Sequence, residues 1–202
     1  MYDKILVPLD GSELAENTVL PYVESVAGAF DSEIILTNVT GLAEIGLGRL
    51  YNTYLDGVAK QLEAKLEAMG KKPRVGWEVL TGKPAEEILK AADRNKANLI
   101  ILSSAGGSGL DRWVLGAVAT KLVRASSVPI LLIKPRERVE AAKPFQSILV
   151  PLDGSPEAEV VLPHVVSLAT KMGPGSPPSR RLTSPPWGPP NLPPIMRPWS
   201  KT

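Results

Sequence analysis

Two short segments carry residue types that could hold a small ligand. The first is Pro8-Leu9-Asp10-Gly11-Ser12. A carboxylate at Asp10, set at the mouth of a strand, can accept hydrogen bonds from a sugar, a base amine or a metal-bound water. A purely local role fits equally well, with Asp10 and Ser12 shaping the turn and capping a helix. The second segment is Ser103-Ser104-Ala105-Gly106-Gly107-Ser108-Gly109, followed after a short interval by Leu115-Gly116-Ala117. Three glycines in four residues let backbone N–H groups turn toward an anion with no side chain in the way. Gly116 falls near the start of the next helix, where free N–H groups and the helix dipole favour phosphate. Ser104 and Ser108 add hydroxyl donors. A bare surface loop is the competing reading, and the position between a buried strand and a helix is what favours phosphate.

Other chemistries fail on the residues. There is no cysteine, so disulfides, thiolate zinc sites and cysteine nucleophiles are excluded. One histidine, His164, rules out a multi-histidine metal site within the chain; on its helix it reads as a core or surface residue. The interval from Gly76 to Gly82-Lys83 is one residue too long for a phosphate-binding P-loop and runs into Pro84. Leu110 stands where a Gly-x-Ser-x-Gly elbow needs its last glycine. Asp111 and Arg112 read as an exposed pair at the loop's edge, the alternative being that Arg112 leans toward a phosphate. No catalytic or metal-ligating residue is expected. The net charge of +2 is also misleading: of 23 basic residues, Arg180, Arg181, Arg197 and Lys201 lie in a stretch without acids, leaving 19 against all 21 acidic ones. The mildly acidic remainder argues against nucleic acid or an anionic membrane as a main partner. With no apolar run of about 18 residues, and with Asp3, Lys4 and Asp10 too early for a signal peptide, a cytoplasmic protein is expected.

Strands alternating with helices must position the two segments. Lys4 to Leu9, Glu33 to Val39 and Asn98 to Leu102 read as buried apolar strands. Val75, Trp77 and Val79 alternate, as in a half-exposed strand at a sheet edge, and Val128 to Ile133 completes five. Ser12 should cap a helix carrying Ala15, Val19, Val23 and Val26 inward. Leu55, Val58, Leu62, Leu66 and Met69 form one stripe of the next helix. Pro84 opens a third, with Ala85, Ile88, Leu89 and Ala92 on its apolar face. Leu115, Val118, Ala119 and Leu122 mark a fourth. The pattern predicts an α/β fold, a doubly wound five-stranded parallel sheet with helices on both faces. In such a sheet, ligands bind beyond the C-terminal strand ends where strand order reverses.

The octapeptide Ile5 to Ser12 returns unchanged as Ile148 to Ser155. A repeat of this length means that one structural unit is started twice. The expected organisation is one full domain over 1–135 and a linker over 136–146, since the stretch from Lys134 to Pro144 is charged and carries two prolines. A truncated second unit, a strand plus a helix, follows over 147–173, and a proline-rich disordered tail covers 174–202, where half of the 20 prolines fall. The tail could dock on a polyproline-binding domain, though composition alone favours a tail without selected function. The second unit's helix, with Val161, Leu162, Val165 and Leu168, lacks a sheet of its own and should dock on the first domain or on a partner.

Taken together, the Lys4–Ser12 opening, Gly82-Lys83-Pro84-Ala85-Glu86-Glu87-Ile88-Leu89, the segments Ser108-Gly109-Leu110 and Leu115 to Ala119, and Val128 to Ile133 resemble the universal stress protein family. The resemblance covers residues 1 to about 135, and it restarts over about 146 to 172. It implies the adenine-nucleotide α-hydrolase-like variant of the fold and an ATP site, with or without Mg2+. The family's nucleotide-binding pattern Gly-x2-Gly-x9-Gly followed by Ser or Thr falls here on Ser103, Gly106, Gly116 and Ala117, so two of four positions match. Ala117 lacks a hydroxyl, and the family's frequent His and Arg are Ala105 and Gly107. Pro8, Leu9, Asp10 and Val39 would hold the adenosine end; Ser103, Ser104, Gly106, Gly107, Ser108, Gly109, Gly116 and Ala117 would surround the phosphates. Asp153 has no glycine loop to go with it, so a second site is not expected. The resemblance further implies a homodimer through the fifth strand (128–133), with protein partners left open. The expected function is a stress-response sensor or regulator that binds ATP or a related adenine nucleotide, with at most slow hydrolysis. The alternatives are a dimeric interaction protein that has lost nucleotide binding and, with no histidine pair to support it, an adenylyl-transferring enzyme.

Overall fold

A computed structural model describes residues 1–41, 46–104, 115–135, 145 and 147–172. The five strands are β1 (Lys4–Pro8), β2 (Glu33–Thr40), β3 (Arg74–Thr81), β4 (Leu99–Ser103) and β5 (Ile130–Ile133). They form one all-parallel sheet in the order β3-β2-β1-β4-β5. Helices α1 (Glu13–Phe30), α2 (Gly48–Ala68), α3 (Pro84–Asn95) and α4 (Ala117–Ala125) provide the crossovers. The expected fold class is therefore the observed one.

Burial explains why these segments are strands. Ile5, Leu6 and Val7 of β1 are all fully buried, so both faces of the central strand are covered. Alternate residues feed two cores. Ile5 and Val7 join Val19, Val23, Leu55, Leu62 and Leu66 beneath α1 and α2. Leu6 joins Ile88, Ala92, Ile100, Ala119 and Leu122 beneath α3 and α4. Each of the Val, Leu and Ile side chains among them contributes roughly 1.5–3 kcal/mol through burial. β3 lies at the edge, and its Trp77 remains 38% exposed.

Local chemistry sets the helix ends. The Ser12 hydroxyl accepts from the Ala15 N–H at 3.2 Å, with Glu13 and Glu16 in the favourable first turn of α1. Pro84 occupies the first turn of α3 as expected. Met69 departs from the expected stripe. It is the C-cap of α2 and 53% exposed, with its thioether arm over α1, where a Cβ on Gly28 would come within 3.1 Å of Met69 Cε. The fifth strand begins at Ile130 rather than Val128. Ser126 takes up the Val128 backbone through its hydroxyl, and Pro129 has no N–H to offer a ladder. Leu115 likewise precedes α4, which starts after Gly116.

Beyond the sheet, the second octapeptide does not form the expected strand. Residues 147–153 are in neither helix nor strand, and Leu149 is 92% exposed. A parallel strand needs neighbours to complete its hydrogen bonds, and among the described residues no strand pairs with this segment. Its helix does form, as α5 (Pro156–Glu159) and α6 (Leu162–Met172). α6 docks on the first unit beside α1, with Leu168 and Met172 against the core beneath α1 and α2. Phe145, the one described residue of the expected linker, packs edge-on against Tyr22 at 5.7 Å.

Candidate functional site

The two ligand-candidate segments meet above the C-terminal ends of β1 and β4. The chain leaves β1 toward β2 on one side, while β4 enters on the other, so this is the point of strand-order reversal. A cleft of about 300 Å³ opens there. Pro8, Leu9 and Asp10 line it from β1, and Thr37 and Val39 from β2. Pro84 and Ile88 come from α3, Ser103 and Ser104 from β4, and Gly116 and Ala117 from the start of α4. Eight expected residues, from Pro8 to Ala117, are thus brought together; Gly106, Gly107, Ser108 and Gly109 lie outside the described residues.

Asp10 sits in a tight turn. Its Oδ1 accepts the Ser12 N–H at 3.0 Å and the Ser12 hydroxyl at 2.6 Å, while Gly11 adopts φ +80°. Glycine makes that backbone inexpensive. The turn is therefore built as the local reading requires, and its carboxylate still faces the cleft. Close by, the Tyr54 hydroxyl donates to Glu16 Oε1 at 2.7 Å. Burial first, then Glu16, then the negative charge of Asp10 hold the Tyr54 hydroxyl protonated far above the ordinary tyrosine range.

The opposite wall is a helix N-terminus. The Gly116 N–H donates to the Ser104 carbonyl at 2.8 Å, and the Ser104 N–H donates to the Ile133 carbonyl at 2.8 Å. These bonds hold Ser104 and Gly116 together at the rim of the cleft. No side chain caps α4, so its first N–H groups point outward at the level of Ala117. This suits an anion. Among the described lining residues the one charged side chain is Asp10, and none is basic.

Two polar residues that sequence reasoning passed over shape the floor. Asn38 Nδ2 donates to the Leu9 carbonyl at 2.9 Å, and the Leu9 N–H donates to the Thr37 carbonyl at 2.8 Å. β2 therefore grips the β1 exit from two directions and fixes where Asp10 emerges. By strand alternation, Val39 turns its own N–H and C=O to the same side as Thr37, past the end of β1 and toward the cleft. The sequence signal was present: Thr37-Asn38 interrupts an otherwise apolar strand shortly before its C-terminal end. Among the described residues, no group of acidic or histidine side chains could hold a metal ion.

Residues 1–134 match the universal stress protein family. The chain is 31% identical over 157 residues to the universal stress protein MJ0577 of Methanocaldococcus jannaschii, covering 66% of this chain and 96% of that one. The solved MJ0577 structure gives a TM-score of 0.55 at 29% identity, over 68% of this chain and 99% of that one. A universal stress protein from Archaeoglobus fulgidus DSM 4304 gives a TM-score of 0.66 at 26% identity. That match covers 85% of this chain and 64% of the other, so it extends past the first 135 residues. The structure of a universal stress protein from Archaeoglobus fulgidus in complex with dAMP shares the fold at 17% identity and a TM-score of 0.50, over 66% and 98% of the two chains.

Proposed function

The chain belongs to the universal stress protein family, and from that premise we propose that it binds ATP or a related adenine nucleotide in the cleft between β1 and β4. It does so once per chain, as a stress-response sensor or regulator. The observation that carries this reading is the composition of the cleft walls. An uncapped helix N-terminus at Gly116–Ala117 faces a carboxylate at Asp10, across a floor with an apolar end at Val39, Pro84 and Ile88. Phosphate suits the first, ribose hydroxyls the second, and a flat base the third. A relative of the same fold is known with dAMP bound, which supports the same ligand class.

Without a basic lining side chain among the described residues, the triphosphate is held mainly by backbone N–H groups, and binding is weak. Without a lysine or arginine to offset charge on a transferring phosphoryl group, hydrolysis is slow at most. Mg2+ would come with the nucleotide, since among the described lining residues Asp10 is the one carboxylate. A cytoplasmic location and a homodimer through residues 128–133 belong to the same proposal. No described helix is long and apolar enough to cross a membrane, and β5 is an edge strand that needs cover. The organisation into a full unit (1–135), a restarted unit (147–173) and a tail (174–202) is proposed with it.

The missing hydroxyl at Ala117 and the absence of a basic side chain among the described lining residues favour a second reading, a dimeric interaction protein that no longer binds nucleotide. Calorimetric titration of ATP into the full chain, with and without Mg2+, separates the two. Saturable binding near one site per chain supports the sensor. No heat up to millimolar ATP leaves the interaction protein.

A further inference from the structure

The cleft has two chemically different ends. Ser103, Ser104, Gly116 and Ala117 line the one beside α4; Thr37, Val39, Pro84 and Ile88 line the one between β2 and α3. At the second end, three of the four side chains are hydrocarbon and the fourth carries a hydroxyl. Thr37 is 0% exposed, and its Oγ1 has no hydrogen-bond partner among the described residues. Its neighbours on the same sheet face, Leu6, Ile35 and Leu102, are hydrocarbon. A buried hydroxyl that has given up water and gained nothing costs free energy, and such groups are uncommon in folded proteins. Valine has the same shape and the same strand preference without that cost. The Thr37 carbonyl is already engaged by the Leu9 N–H, so the side chain is what remains to offer. Rotation of χ1 between staggered wells exchanges Oγ1 with Cγ2, which lets the hydroxyl turn toward whatever enters.

We infer that Thr37 is a specificity-determining residue: its hydroxyl hydrogen-bonds the edge of the bound base. The inference rests on the nucleotide reading above and assigns to this side chain a role in selecting the base. With the phosphates at the α4 end, the base lies against Val39, Pro84 and Ile88. Thr37 is the side chain there that can distinguish one ring edge from another. It is a hydroxyl, both donor and acceptor, so it pairs with either a ring nitrogen or an exocyclic amine.

The test is a cycle of protein and ligand changes. Wild-type protein and Thr37→Val are titrated with ATP and with three analogues: purine ribonucleoside triphosphate without the 6-amino group, 7-deaza-ATP and 3-deaza-ATP. The expected result is that Thr37→Val weakens ATP by about two- to tenfold. For at least one analogue, wild type should lose affinity and Thr37→Val should lose none further, which is the signature of a direct pair. A merely structural hydroxyl would shift all four ligands equally. Equal affinities for ATP in the two proteins, with wild type binding well, overturn the inference and leave the nucleotide reading standing. Absence of ATP binding to wild type overturns both. Should Thr37→Val fail to fold, the analogues still decide on wild type together with Thr37→Ser, which keeps the hydroxyl: no discrimination among the four ligands in either protein sinks the idea.

Discussion

The Tyr2 hydroxyl and Nδ1 of His164 lie 2.8 Å apart, with their rings stacked at 5.8 Å. Tyr2 just precedes β1, and His164 belongs to α6, so this pair joins the first unit to the restarted one. The tyrosine ring also meets Phe30 edge-on at 5.0 Å, and burial raises the pKa of its hydroxyl. The chain's one histidine thus packs between the two segments in this fold. It is a docking contact.

Tyr2→Phe keeps both ring contacts and removes the hydrogen bond. A bond of this kind contributes about 1 kcal/mol, and it ties α6 to the segment before β1. Amide exchange across 162–172 should therefore quicken severalfold, while β1, β2 and β4 exchange as before. Unchanged protection in α6 would show that Leu168 and Met172 hold the helix alone.

Asn38 makes a sharper case because it positions the site from beneath. Asn38→Asp keeps the shape and replaces the donor to the Leu9 carbonyl with an acceptor. Two oxygens then oppose each other in a buried setting, at a cost of roughly 2–3 kcal/mol near neutral pH. The buried carboxyl has a raised folded-state pKa, so the loss grows as pH rises above the ordinary carboxylate range and shrinks as the group protonates and donates again. Urea midpoints at pH 7 and pH 5 test this. Equal deficits at both pH values would mean that the Leu9 contact is not what Asn38 supplies.

The repeated octapeptide shows what was legible in the sequence. Gly11 and Gly154 hold φ +80° and +85°, Ser12 and Ser155 each donate their N–H to the aspartate two residues before, and each caps a helix. The turn and cap depend only on neighbours in the chain, so identical residues rebuild them. Ile5 to Pro8 form a strand because β2 and β4 flank them; Ile148 to Pro151 have no such flanks and form none. Strand identity is a tertiary property, and the expectation of a strand there failed for that reason. Topology plus glycine spacing pointed to the Pro8–Ser12 turn with Asp10 and to Gly116, whereas Val39 was named only through the family resemblance. Thr37 and Asn38 were not foreseeable, because their importance lies in which carbonyls and cavities the register brings to them. Met69 read as core from its helical spacing, yet it falls at the helix end, where the stripe runs past the sheet.

Tyr54 predicts behaviour in alkali. Its folded-state pKa lies above the unfolded value, so its contribution to stability is fully present below about pH 10 and is lost as pH rises toward the folded-state value. The urea midpoint of the wild-type protein should fall from pH 9.5 onward. Tyr54→Phe should flatten that limb while giving up the Glu16 bond at neutral pH. Parallel alkaline limbs in the two proteins would place the titrating group elsewhere.

Ala117 offers the most direct test of where phosphate lies. It is the first residue of α4, its neighbour Gly116 is the N-cap, and no side chain caps the helix. Both line the cleft opposite Asp10. Serine at 117 adds one hydroxyl at that wall and leaves the backbone N–H in place. A hydrogen bond to a charged group contributes about 1.5–3 kcal/mol, or one to two decades in affinity, of which ordering the side chain takes part. Ala117→Ser should therefore tighten ATP by about a decade and adenosine not at all. The contrast between the two ligands matters more than either number, because a general gain in stability would move both. Tightening of adenosine alone would put the sugar, not the phosphates, at α4 and reverse the ligand in the cleft. No change for either would remove the helix N-terminus from the site.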